Sequence, residues 1–94
     1  MEFEWDEAKS EQCHRERGFS FAFVVPAFAD PHRRVERDER WDYGEVRYRL
    51  YGRIGGRLFV VAYTTRGRAV RIISARKANA RERRRYGDQG TPQG

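Results

Sequence analysis

Arg66, Arg71, Arg76 and Lys77 are cations clustered around one apolar strand, Val70, Ile72 and Ile73, near the end of a 94-residue chain. Arginine grips phosphate with a planar fork and lysine with a point charge. With Tyr86 or Tyr63 to position a proton, such a set can carry one reaction without a metal. That reaction is cleavage of an RNA phosphodiester by its own 2′-hydroxyl, which needs an in-line arrangement and stabilisation of charge on the phosphorane-like oxygens. Each arginine taken alone reads as a solvated surface charge. The cluster becomes a phosphate site only if the strand ends correctly. Strand alternation aligns Arg71 with Ile73 and Ala75, and a small-residue corner at Ser74-Ala75 then presents Arg76 and Lys77. Arg66 approaches from the preceding turn.

The stretch Arg71 to Tyr86, RIISARKANARERRRY, holds seven basic residues against one acid, Glu82. Its excess of +6 equals the net charge of the whole chain. After the corner, Asn79 is placed to cap a short helix, and Glu82 three residues later completes a capping box. Arg81, Arg83, Arg84 and Arg85 on that helix form a phosphate-attracting flank, which Arg47 on an earlier strand extends. Glu82 invites the role of general base. It reads first as a capping carboxylate, and its cationic neighbours depress its pKa and make it a poorer base.

Composition narrows the function classes. Ninety-four residues allow one domain with one modest core, here 1–86, followed by a low-complexity tail, 87–94, expected to be flexible. A 36% charged content with 14% aromatics fits a folded, polar domain. The arginine bias suits an anionic partner, and equally follows from a GC-rich genome. A pI near 10 fits nucleic acid or an acidic protein. The single Cys13 makes no internal disulfide and suggests a reducing, cytoplasmic compartment. No apolar run is long enough to span a membrane, and the acidic start Met1-Glu2-Phe3-Glu4 is not patterned as a signal peptide. His14 and His32 are isolated, so no metal site is expected, and no glycine-rich phosphate loop implies a cofactor.

The elements that must position the cations are read as follows. Phe3 and Trp5 alternate with acids in a short first strand. Asp6 caps a polar helix to about Arg17, stopped by Gly18. Ser20 is the cap candidate for a second helix, with Phe19 stapled onto Val24. Phe21, Val24, Val25 and Phe28 form its apolar stripe, and Pro26 predicts a kink or early end. His32 to Asp38 is a weak strand with Val35 as its only apolar anchor, followed by a polar loop carrying Trp41 and Tyr43. Val46, Tyr48 and Leu50 alternate with Glu45, Arg47 and Arg49 in a half-buried antiparallel strand. Gly55-Gly56 turns a hairpin into Leu58 to Tyr63, a central strand covered on both faces. The class is α+β, with an antiparallel sheet, two N-terminal helices and a short C-terminal helix.

The segments FEWDEAK (Phe3 to Lys9), GFSF (Gly18 to Phe21), GE-x-R (Gly44 to Arg47), GGRLFVVAYT (Gly55 to Thr64) and RIISARKANARERRRY resemble the BrnT family of toxins over residues 3 to 86. The resemblance implies a RelE-like fold and a metal-independent endoribonuclease of a bacterial type II toxin–antitoxin pair that arrests translation. It also implies a BrnA-like ribbon-helix-helix antitoxin, a 2:2 heterotetramer, and operator DNA bound through that antitoxin. The family's polar signature falls on Glu45, Arg47, Arg66, Arg71, Ser74, Arg76, Lys77, Glu82, Arg83 and Tyr86. Two positions depart from it. Glu16-Arg17-Gly18 stands where the family has Lys-His-Gly, and Thr65 stands where it commonly has glutamate. A non-catalytic nucleic-acid-binding module and an inactive homologue acting only through its antitoxin remain as alternative readings.

Overall fold

The structure, a computed structural model, describes residues 1–40 and 42–87. Trp41 and the expected flexible tail from residue 88 onward lie outside the described residues. The alternating Phe3 and Trp5 form β1 (Glu2–Trp5), and Asp6 caps α1 (Glu7–Arg17) by accepting the Ala8 N–H at 2.9 Å. Gly18, at φ 89°, ends α1 in the left-handed conformation that a residue with a Cβ rarely adopts.

Ser20 occupies the cap position of α2 (Phe21–Val24) without a side-chain capping bond. The cap comes instead from α1, where buried Ser10 accepts the Phe21 N–H at 3.0 Å. Pro26 ends the α-helix early, as expected, and the chain tightens into a 3₁₀ turn over Val25–Ala29. Phe19 lies in the same core as Val24 and packs on Phe23 and Phe59, with ring centroids 6.0 and 5.2 Å apart.

The remaining strands are β2 (Arg34–Asp38), β3 (Arg47–Ile54), β4 (Arg57–Arg66) and β5 (Ala69–Lys77), in a sheet of order β1-β5-β4-β3-β2. The β3-β4-β5 meander is antiparallel as expected, and Leu58 to Val61 are buried at its centre. The sheet as a whole is mixed, because β1 runs parallel to β5, from Glu2 opposite Ala69 to Trp5 opposite Ile72. Alternating apolar residues specify a strand but not its direction, and only the tertiary location of the open β5 edge decides that. Where β1 stops, α1 takes over the edge. The Ala75 carbonyl accepts from Cys13 Sγ at 3.5 Å and from Arg17 Nη1 at 3.3 Å.

Val35 proves not to anchor β2, since it is 47% exposed. The strand is held by its ladder to β3 and by inward-facing acids, with Glu36 and Asp38 both paired to Arg49 at 3.3 and 3.2 Å. Helices α1 and α2 cover one face of the sheet over Phe21, Val24, Leu50, Val61 and Ile72. A smaller cluster, Tyr51, Leu58, Val60, Ala78 and Tyr86, lies on the other face. There the chain ends in α3 (Ala80–Glu82), which widens into a π-type turn over Arg83–Gly87.

Gly52 marks the closest approach between the layers. A Cβ at this position would lie 2.4 Å from the Ala27 carbonyl oxygen, which belongs to the 3₁₀ turn and cannot rotate away. Gly52→Ala is expected to destabilise the fold by about 1–3 kcal/mol through overpacking. Ser10→Ala is expected to cost about 1 kcal/mol by removing the cap of α2. Urea unfolding of both variants measures this. A Gly52→Ala midpoint equal to that of the wild type would show that the two layers can separate freely.

Candidate functional site

Strand β5 does not end at Ser74-Ala75 but continues to Lys77. On an uninterrupted strand, Arg71 and Arg76 are an odd number of residues apart and face opposite ways. The ladder is interrupted. Ala62 pairs with Ser74 and Tyr63 with Ile72, so Ile73 is an extra residue, a β-bulge. The bulge turns both Ile72 and Ala75 into the core, each 1% exposed, and brings Arg71, Ser74 and Arg76 onto the opposite face. This corrects the alignment of Arg71 with Ile73 and Ala75 expected from simple alternation. Because the strand continues through both residues, alternation separates Arg76 from Lys77. Lys77 pairs with Phe59 and shares the helix-covered face, so the two cations do not converge on one phosphate.

The face away from the helices is organised in rows about 7 Å apart along the strands. Arg34, Tyr51, Val60 and Arg76 form one row, and Glu36, Arg49, Ala62 and Ser74 the next. Beyond them lie Asp38 and Arg47, with Thr64, Arg71 and Glu4 continuing on the other side. The middle row has a low floor, Ala62 and Ser74, bordered by the guanidinium groups of Arg49, Arg71 and Arg76. Arg49 was not singled out by sequence reasoning. Its signal was its position two residues after Arg47 in the same alternating strand.

Each of these arginines is held by a carboxylate. Arg76 makes a two-pronged contact with Glu82, at 2.8 and 2.9 Å. Arg71 binds Glu4 at 3.0 Å, and Arg47 binds Glu45 at 3.2 Å while lying 4.0 Å over the Tyr43 ring. Exposed Arg66 reaches Glu45 at 3.7 Å. A carboxylate occupies only part of a guanidinium's donor set, so these arginines are oriented and still have N–H groups for a phosphate.

Glu82 has two roles. Its backbone N–H donates to Asn79 Oδ1 at 2.8 Å, and its Oε1 accepts the Asn79 N–H at 2.9 Å, which completes the expected capping box. The same carboxylate clamps Arg76. The Arg76 hydrogen bonds, with the Asn79 amide adding to them, hold the Glu82 pKa below the usual carboxylate value. Glu36 is likewise lowered, first by the Tyr86 phenol and then by Arg49 and Arg85. Asp38 is pushed far down, chiefly by its hydrogen bonds with Arg40. None of the three is poised to take a proton near neutral pH.

Tyr86 is 9% exposed and donates its phenolic proton to Glu36, and its ring packs on Tyr51 at 4.5 Å. Burial, reinforced by Glu36, pushes its pKa up to about 12. It therefore joins the C-terminal segment to edge strand β2 and keeps its proton. Tyr63, the other candidate, stacks on Tyr48 at 5.3 Å and meets Phe28 at 5.2 Å on the helix-covered face. Of the flanking arginines, Arg81 and Arg84 are exposed, Arg83 donates to the Ala78 carbonyl at 3.3 Å, and Arg85 lies 3.4 Å from Glu36.

Residues 5–82 match the family described as "Ribonuclease toxin, BrnT, of type II toxin-antitoxin system". The chain belongs to the BrnT family. No curated protein matches it. BrnT membership makes it a ribonuclease toxin of a type II toxin–antitoxin system, and such a toxin has an antitoxin partner. The BrnT signature residues named above lie on or beside the arginine-lined face, with Lys77 as the exception. Thr65 pairs with Val70 and so alternates onto the face opposite Arg66. Among the described residues, no three His, Cys, Asp or Glu side chains group as a metal site, and no helix is long and apolar enough to cross a membrane.

Glu82 and Glu36 have folded-state pKa values below their unfolded values. Their contribution to stability is therefore complete above the unfolded carboxylate pKa, about 4.3, and is lost as pH falls through the lower folded values. Acidification below about pH 4 is expected to release the C-terminal segment before the meander unfolds, since Glu82 clamps Arg76 and Glu36 holds Tyr86 and Arg85 across that junction. Amide exchange at Ala80 to Tyr86, followed from pH 6 to pH 3, measures it. Glu82→Gln should flatten that dependence, and equal acid sensitivity in the variant would show that the clamp does not hold the segment.

Proposed function

We propose that this BrnT chain is a metal-independent endoribonuclease, with a RelE-like fold, that cleaves RNA on the arginine-lined sheet face and so inhibits translation and growth in the bacterial cytoplasm. The observation that carries this reading is the bulge at Ile73, which gathers Arg71 and Arg76 around the Ala62–Ser74 floor opposite Arg49. Three oriented guanidinium groups supply the positive charge that a metal would otherwise provide.

In the proposed reaction the scissile phosphate lies on the floor, with Arg71 and Arg76 at its non-bridging oxygens and Arg49 bordering it from β3. The 2′-oxygen forms a bond to phosphorus as the bond to the 5′-oxygen breaks, leaving a 2′,3′-cyclic phosphate and a 5′-hydroxyl. The 2′-hydroxyl proton passes to water, and a proton from water reaches the leaving oxygen. Stabilisation of charge dominates, because the carboxylates here are committed to arginines and held below their ordinary pKa. Arg47, Arg66, Arg81, Arg83, Arg84 and Arg85 extend the phosphate path away from the scissile bond. Tyr86 acts by position, keeping Glu36 and Arg49 in place. Lys77 serves a different surface. The partner is a BrnA-like ribbon-helix-helix antitoxin in a 2:2 complex that binds operator DNA through the antitoxin.

Induction of the wild type is expected to arrest growth with loss of intact RNA, and Arg76→Ala to reduce cleavage by about 10²-fold, as for loss of one oxyanion-stabilising donor. Arg71→Ala should show a similar loss, whereas Lys77→Ala should stay within a few-fold of the wild type. Cleavage assayed with and without EDTA tests metal independence, and a loss of activity with EDTA would sink that part. RNA that binds but stays intact with the wild type would instead support a non-catalytic binding module.

A further inference from the structure

A second positively charged surface lies on the opposite side of the sheet. Where α1 ends and α2 begins, against the ends of β3, β4 and β5, there is an open groove of about 580 Å³. Its floor is aromatic. Phe19 and Phe59 are buried, and Phe23, 49% exposed, packs against both, 6.0 and 5.8 Å away. Its rim carries the cations Arg17, Arg57 and Lys77, with His14 beside them and no carboxylate among the lining residues.

The charge on the two faces differs. On the arginine-lined face Glu4, Glu36, Asp38, Glu45 and Glu82 already pair with the guanidinium groups and occupy part of their donor set. Arg57 and Lys77 have no carboxylate partner among the described residues. An incoming acid therefore competes with built-in carboxylates on the first face and with none in the groove. Phe23 is also the only exposed phenylalanine, tyrosine or tryptophan among the described residues. An exposed phenylalanine over a concave apolar floor, ringed by arginine and lysine, has the composition of an interface hot spot.

We infer that this groove is the docking site for an acidic, amphipathic segment of the antitoxin, with apolar side chains over Phe19, Phe23 and Phe59 and carboxylates at Arg17, Arg57 and Lys77. The inference rests on the antitoxin partner that BrnT membership implies. RNA fits the groove less well. Base stacking needs exposed ring faces, and here Phe19 and Phe59 are buried and Phe59 meets Phe19 edge-on at an interplanar angle of 87°. A helix or extended segment laying one apolar face into a groove needs only the concave floor and a complementary rim.

The experiment titrates the antitoxin into the full toxin chain by calorimetry at low and moderate salt, comparing wild type with Phe23→Ser, Arg57→Glu and Arg71→Ala. Phe23→Ser is expected to weaken binding by about 30-fold and Arg57→Glu by about 10-fold with a smaller salt dependence. Arg71→Ala should bind within a few-fold of wild type. Arg57 is exposed on the hairpin, so it still tests the site if Phe23→Ser folds poorly. Wild-type affinity in both groove variants, loss confined to Arg71→Ala, or no antitoxin binding by the wild type would each overturn the proposal. Groove variants that lose RNA cleavage yet hold the antitoxin would assign the groove to RNA and overturn it too. If no protein cleaves RNA, the ribonuclease reading fails while the titration still decides the docking site.

Discussion

One extra residue in one strand determines what this sheet can present to a ligand. Without the bulge at Ile73, strand parity places Arg76 against the helices whenever Arg71 faces away from them, or the reverse. A guanidinium buried beneath α1 and α2 without a partner carries a desolvation cost that no nearby acid offsets. With the bulge, Ile72 and Ala75 both reach the core and both arginines stay on the polar side. Core packing and the ligand face are satisfied by the same irregularity.

The arginines on that side are held by carboxylates from four different elements. Glu4 comes from the first strand, Glu36 and Asp38 from the edge strand, Glu45 from the loop before β3, and Glu82 from the terminal helix. Such pairs add little net stability at an exposed surface. Their effect is orientation, because a fork locked in one plane loses less rotational freedom when a phosphate arrives. They also cancel charge, so the strongest attraction for long-range anions lies with the unpaired cations elsewhere, including those around the aromatic groove. Orientation and attraction are thus divided between two surfaces.

Much of this architecture was legible from residue order. Asp6 and Gly18 delimit the first helix, Pro26 shortens the second, Gly55-Gly56 turns the hairpin, and Asn79 with Glu82 caps the last helix, because each of these signals is local. What was not legible depended on distant partners. The parallel direction of β1 follows from an edge left open sixty-odd residues later. The exposure of Val35 follows from Glu36 and Asp38 pairing inward with Arg49. The bulge leaves no mark in the run Arg71-Ile72-Ile73-Ser74-Ala75, which reads equally well as a regular strand, so the assignment of faces failed there. Arg76 and Lys77 are neighbours in sequence and face opposite ways by plain alternation, because the strand runs on through both.

The parallel pairing of β1 with β5 also constrains when the molecule becomes complete. Residues 2 to 5 cannot find their partners until residues 69 to 72 have been made, so this contact closes nearly the whole chain and carries a large loop-closure entropy. The β3-β4-β5 meander, built from adjacent hairpins, can assemble first. The first strand therefore docks only once β5 is in place, and Arg71 lacks its Glu4 partner until it does. A ribosome-bound chain holds the arginines before it holds them in order, which separates the birth of the protein from the birth of its active surface.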